Sequence, residues 1–239
     1  MMQICDFHSH ILPGMDDGCQ TVEESLEALR RSYAQGVGML CLTPHYYPVE
    51  SVSTFLARRQ AAMDTLSKAM AEAGGPFPRL CLGAEVAYHP GLSILENLEC
   101  LCLGSSHYLL LELPFQRWGR EMMRDIRNLC NTKGVIPILA HIERYLPLQT
   151  KSIMNEMLSQ DVLVQMNGEF LLDWKTRLKA KSLLKNGTVQ LLGSDCHNLT
   201  DRAPTLGEAV ALLEKRNHYY LSQILGQSEE IFSQACDLP

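Results

Sequence analysis

Seven short runs of near-continuous apolarity recur along the chain, at 2–5, 38–43, 79–84, 107–113, 135–140, 161–166 and 188–193. Each holds four to seven residues, as in Gly-Met-Leu-Cys-Leu-Thr at 38–43 and Val-Ile-Pro-Ile-Leu-Ala at 135–140. Runs this short suit strands, and their lack of polar alternation suits a parallel sheet whose outer face is covered by helices.

Polar punctuation between the runs predicts those helices. Thr21, with Glu24 three residues on, forms a capping box that opens a helix closed by Gly36. A longer helix over 53–73 ends at Gly74-Gly75-Pro76, and another over 120–133 ends at Gly134. Asp173 is placed to cap a helix over 174–186 ended by Gly187, and a last helical stretch runs from near Pro204 towards Leu225. The span 86–106 reads as loop with a short helix. Strands alternating with helices predict an α/β fold of βα repeats, a parallel sheet or barrel. No Gly-, Pro- or Ser-rich linker or charge block divides the chain, so one domain over 1–239 is expected. A doubly wound open sheet is the structural alternative, but Gly14 and Gly18 after the first run do not make its Gly-rich phosphate loop.

The polar residues that end the runs turn the question from fold to chemistry. After the first run come His8, His10 and Asp16, and after the second comes His45. The third ends in Glu85, the fourth in Glu112, the fifth in His141 and the seventh in Asp195 and His197. Six of seven predicted strands, and five of the eight histidines, thus place an ionisable group at a carboxyl end, where barrel enzymes build their active sites. Turn requirements explain one or two such positions, for example Asp195 as a helix cap, but not the set. Imidazole mixed with carboxylate suits Mn²⁺, Fe²⁺ or Zn²⁺, whereas a structural zinc site would use thiolates. Nine candidate ligands exceed the needs of one ion and match two or three. Such a cluster can ionise a bridging water at neutral pH and clamp the oxygens of a phosphoryl group.

Composition narrows the partners. The 239 residues carry a net charge of −6 with no Lys/Arg run longer than a pair, which argues against a nucleic-acid groove. There is no apolar stretch of 18 residues and no signal-like apolar core, so a cytoplasmic protein without membrane insertion is expected. Nine cysteines, an odd number without a C-x-x-C, read as reduced thiols.

In this order, His8-x-His10, Asp16, His45, Glu85, Glu112, His141 and Asp195-x-His197 resemble the motifs of the PHP (polymerase and histidinol phosphatase) superfamily. The strings DFHSHILPGMDDG, TPHY, AHIERY and GSDCHN look most like its bacterial metal-dependent protein-tyrosine phosphatases of the CpsB/YwqE type, over Asp6 to Arg202. The resemblance implies a distorted seven-stranded (β/α)7 TIM-like barrel with its metal site at the carboxyl ends of the strands. It implies two or three divalent ions, manganese first, with iron(II) or zinc as alternatives. By the resemblance, His8, His10, Glu85 and Asp195 would hold one ion, and Glu85, Glu112 and His141 a second. Asp16, His45 and His197 would hold the third. Arg144 and Arg202 would contact the phosphate, a role that the planar guanidinium suits. The implied reaction is hydrolysis of phosphotyrosine on a bacterial tyrosine kinase controlling capsular or exopolysaccharide synthesis.

Rival readings stay open at this level. Histidinol-phosphate phosphatase has the same superfamily motifs, and amidohydrolases also begin with H-x-H, although no strand here ends in the lysine they often use. A non-catalytic metal-binding regulator is a third reading. Cys196 and Arg202 also match C-x5-R, the pattern of cysteine-dependent phosphatases, but that loop lacks the glycines that would wrap a phosphate. Asp6 and Asp17 are expected to support the ligands, and Glu143 to lie either behind the site or on the surface. Tyr46, Tyr47, Phe115 and Trp118 fall near loop ends, where they would flank an aromatic substrate or pack. His89, His107 and His218 lie outside the strand-end set.

Overall fold

In a computed structural model, described over residues 3–236 except for the side chains of 132 and 215–219, the apolar runs become parallel strands. The elements are β1 (Ile4–Asp6), α1 (Val22–Ala34), β2 (Val37–Leu42), β3 (His45–Tyr46), α2 (Val52–Ala73), β4 (Arg79–Leu82), β5 (Glu85–Ala87) and β6 (Tyr108–Glu112). They continue with α3 (Arg120–Asn128), β7 (Ile136–Leu139), α4 (Lys151–Leu158), β8 (Leu163–Asn167), α5 (Glu169–Leu172), α6 (Arg177–Lys185), β9 (Leu191–Gly193) and α7 (Leu206–Ala235). The strands pair in the orders β1-β2-β4 and β3-β5-β6-β7-β8-β9, all parallel.

These two sets are stretches of one curled surface. β3 follows β2 past Thr43-Pro44, where proline lacks the N–H that a ladder needs, and β5 follows β4 past Gly83-Ala84. Glu85 N donates to Thr43 O (3.3 Å) and Pro44 O (3.1 Å), carrying the pairing across the interruption. At the other edge Phe7 N donates to Leu192 O (3.2 Å), Asp195 N to His8 O (2.8 Å) and His10 N to Cys196 O (2.8 Å). The curl therefore brings the first and last strands together. No helix among the described residues is long and apolar enough to cross a membrane.

The alternation of side chains across a strand sorts the core. Leu40, Leu42, Leu109, Leu111, Leu139, Val164, Met166 and Leu192 pack outwards against the helices in the larger apolar cluster. Cys5, Met39, Cys41, Cys81, Leu110, Ile138 and Leu191 form a second cluster on the inner face, plugged by Ile231, Phe232 and Ala235 of α7. Gly104 (φ +54) permits that plug: a Cβ there would lie 1.8 Å from Ala235 O. Two or four residues further along the same inner lines stand the polar groups, in the series Cys41-Thr43-His45, Cys81-Gly83-Glu85, Leu110-Glu112 and Leu191-Gly193-Asp195.

The punctuation holds in most places and fails in others for local reasons. Thr21 Oγ1 accepts from Glu24 N (3.2 Å), while Glu24 Oε2 accepts from Gln20 N (2.9 Å), one residue before the N-cap. The helix expected over 174–186 is split: α5 ends at Leu172, Asp173 Oδ1 accepts from Lys175 N (2.9 Å), and α6 starts only at Arg177. α3 passes into a π-turn over Leu129–Lys133. Helix α4 was not anticipated, although Thr150 caps it by accepting from Ile153 N (3.3 Å). Within 86–106 lie most of β5 and two single-turn 3₁₀ segments, Leu92–Ile94 and Leu98–Leu101. α7 runs ten residues past the expected end.

Candidate metal centre

The inner lines deliver their polar ends to one point. His8 Nε2 lies 3.0 Å from Glu85 Oε2 and 3.4 Å from Asp195 Oδ1, and 3.0 Å from His10 Nε2. His10 Nε2 is 3.1 Å from Glu85 Oε2, and His45 Nδ1 is 3.2 Å from the same oxygen. The other oxygen of Glu85 is 3.0 Å from His141 Nε2, which is also 3.3 Å from Glu112 Oε1. His8, His10, Glu85, His141, Asp195 and His197 are all buried. Backbone strain is concentrated here: His141 (φ 33) and Asp195 (φ 53) adopt left-handed conformations that non-glycine residues avoid. Gly193 makes room, since a Cβ there would sit 2.7 Å from His8 Cβ and 2.6 Å from Gln165 Nε2.

Three histidines are oriented from behind. Asp16 Oδ2 lies 2.7 Å from His10 Nδ1, and His197 Nδ1 lies 2.9 Å from its acceptor, Asp195 O. Gln165 Oε1 accepts from His141 N (2.7 Å), which fixes the amide so that the same oxygen faces His8 Nδ1 at 3.2 Å. In the neutral imidazole an acceptor at Nδ1 assigns the proton to that nitrogen and leaves the Nε2 lone pair pointing into the cluster. The Nδ1 atoms of His45 and His141 and the Nε2 of His197 make no hydrogen bond although buried.

Electrostatics agree. Burial opposes charge on Glu85, but His8, His10 and His141 outweigh it and hold the carboxyl well below its ordinary range. Burial likewise opposes charge on His10, yet Asp16 and Glu85 lift its pKa to about 10. Burial and the neighbouring His10 push His197 down to about 4. The pocket wants positive charge at its centre, and protons can supply it to only some of the crowded imidazoles. Three groups can each converge on a cation: His8, His10 and Glu85; His45, Glu85 and Glu112; and His10, Asp17, His45 and His197.

The last group includes Asp17 and not Asp16, the expected ligand: the Asp16 oxygens face His10 Nδ1 (2.7 Å), His45 N (2.8 Å) and Gly18 N (2.9 Å). Asp17 instead places Oδ1 3.5 Å from His197 Nε2 and 3.6 Å from His45 Nε2. Asp6 ties the first strand to the last, accepting from His8 N (3.2 Å) and Ser194 N (2.8 Å) rather than orienting an imidazole. Glu143 points away from the cluster and caps the end of β8 by accepting from Asn167 N (3.2 Å); burial raises its pKa to about 7.

Both arginines reach Asp195. Arg144 Nη2 lies 2.5 Å from Oδ2 and Arg202 Nη2 2.7 Å from Oδ1, with Asn167 Nδ2 donating to Oδ2 at 2.9 Å. The turn begun by the strained His141 carries Arg144 back to the site, its N–H donating to His141 O (3.0 Å). Arg202 returns because Asn198 Oδ1 accepts from Thr200 N (2.9 Å) and Arg202 N (3.0 Å). Cys196 is fully buried and burial raises its thiol pKa, so the C-x5-R pattern presents no thiolate. His89 Nδ1 donates to Pro90 O (3.2 Å) outside the cluster, His107 is exposed, and the side chain of His218 lies outside the described residues.

Gln165 and Asn167 were missed, although the sixth run had pointed to their strand. Tyr46 and Trp118 are core residues, whereas Tyr47 and Phe115 are exposed.

A curled parallel sheet with histidines and carboxylates converging at the carboxyl ends of its strands defines an α/β protein built around a candidate metal centre. Residues 4–232 match the family model described as capsular polysaccharide synthesis, CpsB/CapC, and the chain belongs to that family. It is 29% identical over 220 residues to the tyrosine-protein phosphatase CpsB of Streptococcus agalactiae, covering 87% of this chain and 88% of that one. It is 29% identical over 234 residues to the tyrosine-protein phosphatase YwqE of Bacillus subtilis, covering 95% and 90%. A crystal structure from work on Bacillus subtilis YwqE and Streptococcus pneumoniae CpsB, described as unique metal-dependent tyrosine phosphatases, superposes with a TM-score of 0.84. That match has 25% identity and covers 97% of this chain and 95% of that one. The TatD homologue YjjV of Escherichia coli shares the fold, with a TM-score of 0.52 at 14% identity over 100% and 99% of the two chains.

Proposed function

We propose that this chain is a metal-dependent protein-tyrosine phosphatase, with a bacterial tyrosine kinase of capsular or exopolysaccharide synthesis as its substrate. The observation that carries the proposal is the set of imidazoles held from behind at Nδ1, with Nε2 aimed at Glu85, Asp195 or Asp17. The family membership and the names of its relatives support the substrate. On this reading the strand segments make one domain of seven strand positions, with β2/β3 and β4/β5 each counting once.

His8, His10, Glu85 and Asp195 would hold one ion, Glu85, Glu112 and His141 a second, and Asp17, His45 and His197 a third. Asp16 sits behind His10 instead of on the third ion. Two or three ions, manganese first, suit this mixture of nitrogen and oxygen donors. When bound, they supply Lewis acidity towards the phosphoryl oxygens and a nucleophile ionised at neutral pH. Arg144 and Arg202 turn from Asp195 to the phosphate and hold its peripheral oxygens by charge-assisted hydrogen bonds. Asn167 keeps its hold on Asp195 when they do. The phenol of tyrosine, with a pKa of about 10, leaves with less need of protonation than an alkyl alcohol.

A manganese-supplemented assay with phosphotyrosine peptide, histidinol phosphate and a simple amide tests the reading. Preference for the phosphotyrosine peptide is expected. Preference for histidinol phosphate would overturn the substrate, and full metal occupancy without turnover would point to a regulator.

A further inference from the structure

We propose that Tyr47 and Phe115 form an aryl subsite that selects aromatic phosphate esters, an inference that deepens the phosphatase reading and rests on it. Large exposed hydrophobic side chains are few among the described residues, and two of the aromatic ones stand at this site: Tyr47 is 45% exposed and Phe115 52% exposed. Neither is a loose rim residue. The Tyr47 ring stacks on His45 with centroids 5.2 Å apart and an interplanar angle of 28°. Phe115 stacks on His141 at 5.7 Å and 26°, and on Tyr145 at 5.5 Å and 25°. Tyr145 is itself fixed, since its hydroxyl accepts from Leu113 N (2.9 Å) and its ring packs on Trp118. Each exposed ring is therefore positioned by an imidazole of the cluster, and each leaves part of its surface open to a ligand.

Their place around the sheet gives them a direction. Along the strand order β3-β5-β6-β7-β8-β9, Tyr47 follows β3 and Phe115 follows β6, while Arg144 follows β7 and Arg202 follows β9. The rim is thus divided, with one arc aromatic and the other cationic. The cationic arc fixes the phosphate through Asp195's two guanidinium partners. A substituent on that phosphate is then directed over Glu85 and Glu112 towards the aromatic arc, where a phenyl ring finds stacking partners and an alkyl chain does not. Offset stacking of aromatic rings adds to area burial, and two such contacts are worth roughly tenfold in binding preference.

The test is a calorimetric titration of manganese-supplemented protein with phenylphosphonate and methylphosphonate, beside phosphotyrosine-peptide hydrolysis by the same preparations. Wild type is expected to prefer phenylphosphonate by about tenfold. The double variant Tyr47→Ala/Phe115→Ala should lose that preference, and Tyr47→Phe/Phe115→Tyr should keep it. A folding defect would weaken both phosphonates alike, so the ratio isolates the subsite. Equal affinities in wild type, or an unchanged ratio in the alanine variant, would overturn the proposal. A wild type that prefers phenylphosphonate yet fails to hydrolyse the peptide would sink the phosphatase reading and leave the subsite standing. Hydrolysis without aryl preference would sink the subsite alone.

Discussion

Gln165→Leu is the sharpest probe of how the site is organised. The side chain is fully buried, and its single oxygen serves both His141 N (2.7 Å) and His8 Nδ1 (3.2 Å), while its Nε2 donates to Asn167 Oδ1 (2.9 Å). Leucine fills a similar volume, so the cavity contribution is small. It leaves the His141 N–H and the Asn167 carbonyl buried without partners, each costing about 1–3 kcal/mol. Destabilisation of the metal-free protein by about 2–4 kcal/mol is expected in urea unfolding. His8 also loses the acceptor that keeps its proton on Nδ1, and loss of such a partner weakens metal binding by about 10–100-fold. Calorimetric manganese titration of the folded variant reads that effect separately from stability. A folded Gln165→Leu protein that binds manganese as wild type does would refute the reasoning, because the amide would then be packing and nothing more.

Arg144→Ala should lower kcat/KM for phosphotyrosine peptide by at least about tenfold with metal content intact; near-normal turnover would contradict phosphate contact. Asp17→Asn should reduce bound metal while shifting the unfolding free energy of the metal-free protein by no more than about 0.5 kcal/mol, because Asp17 is exposed. Asp16→Asn should cost that protein about 1–2 kcal/mol through its lost charged hydrogen bonds, and the opposite pattern would return the ion to Asp16. Burial raises the pKa of Asp6 to about 6 from 3.8. The native state therefore holds the proton longer than the unfolded chain, and this group's contribution to stability falls as pH rises from about 4 through about 6. Asp6→Asn keeps an acceptor without the charge and should gain about 2–3 kcal/mol at pH 8 and little at pH 4 in urea unfolding; an equal change at both would refute it.

Much of this was legible because strands alternate. Leu110 and Glu112, or Leu191 and Asp195, lie on one face by spacing alone, so apolar runs ending in acidic or imidazole groups already foretold convergence. Choosing between Asp16 and Asp17 was not possible from spacing. Adjacent residues in a turn diverge, and the choice is made by long-range contacts such as His45 N on Asp16, 29 positions away. Gln165 and Asn167 went unnoticed because an amide is neither ligand nor acid. The one strand end without a charge was nevertheless the place to look for second partners, since oriented imidazoles need acceptors behind them. α4 escaped because Ser-Ile-Met-Asn-Glu-Met offers few punctuation marks, and the break at Asp173 came from a turn competing with the helix.

On the proposed function, the converging imidazoles and carboxylates hold metal for phosphotyrosine hydrolysis. Elemental analysis of manganese-reconstituted protein, paired with phosphotyrosine-peptide hydrolysis before and after chelation, tests it most directly. About two to three ions per chain, activity lost on chelation and activity restored by manganese are expected. Hydrolysis that persists in protein shown to be free of metal would contradict it.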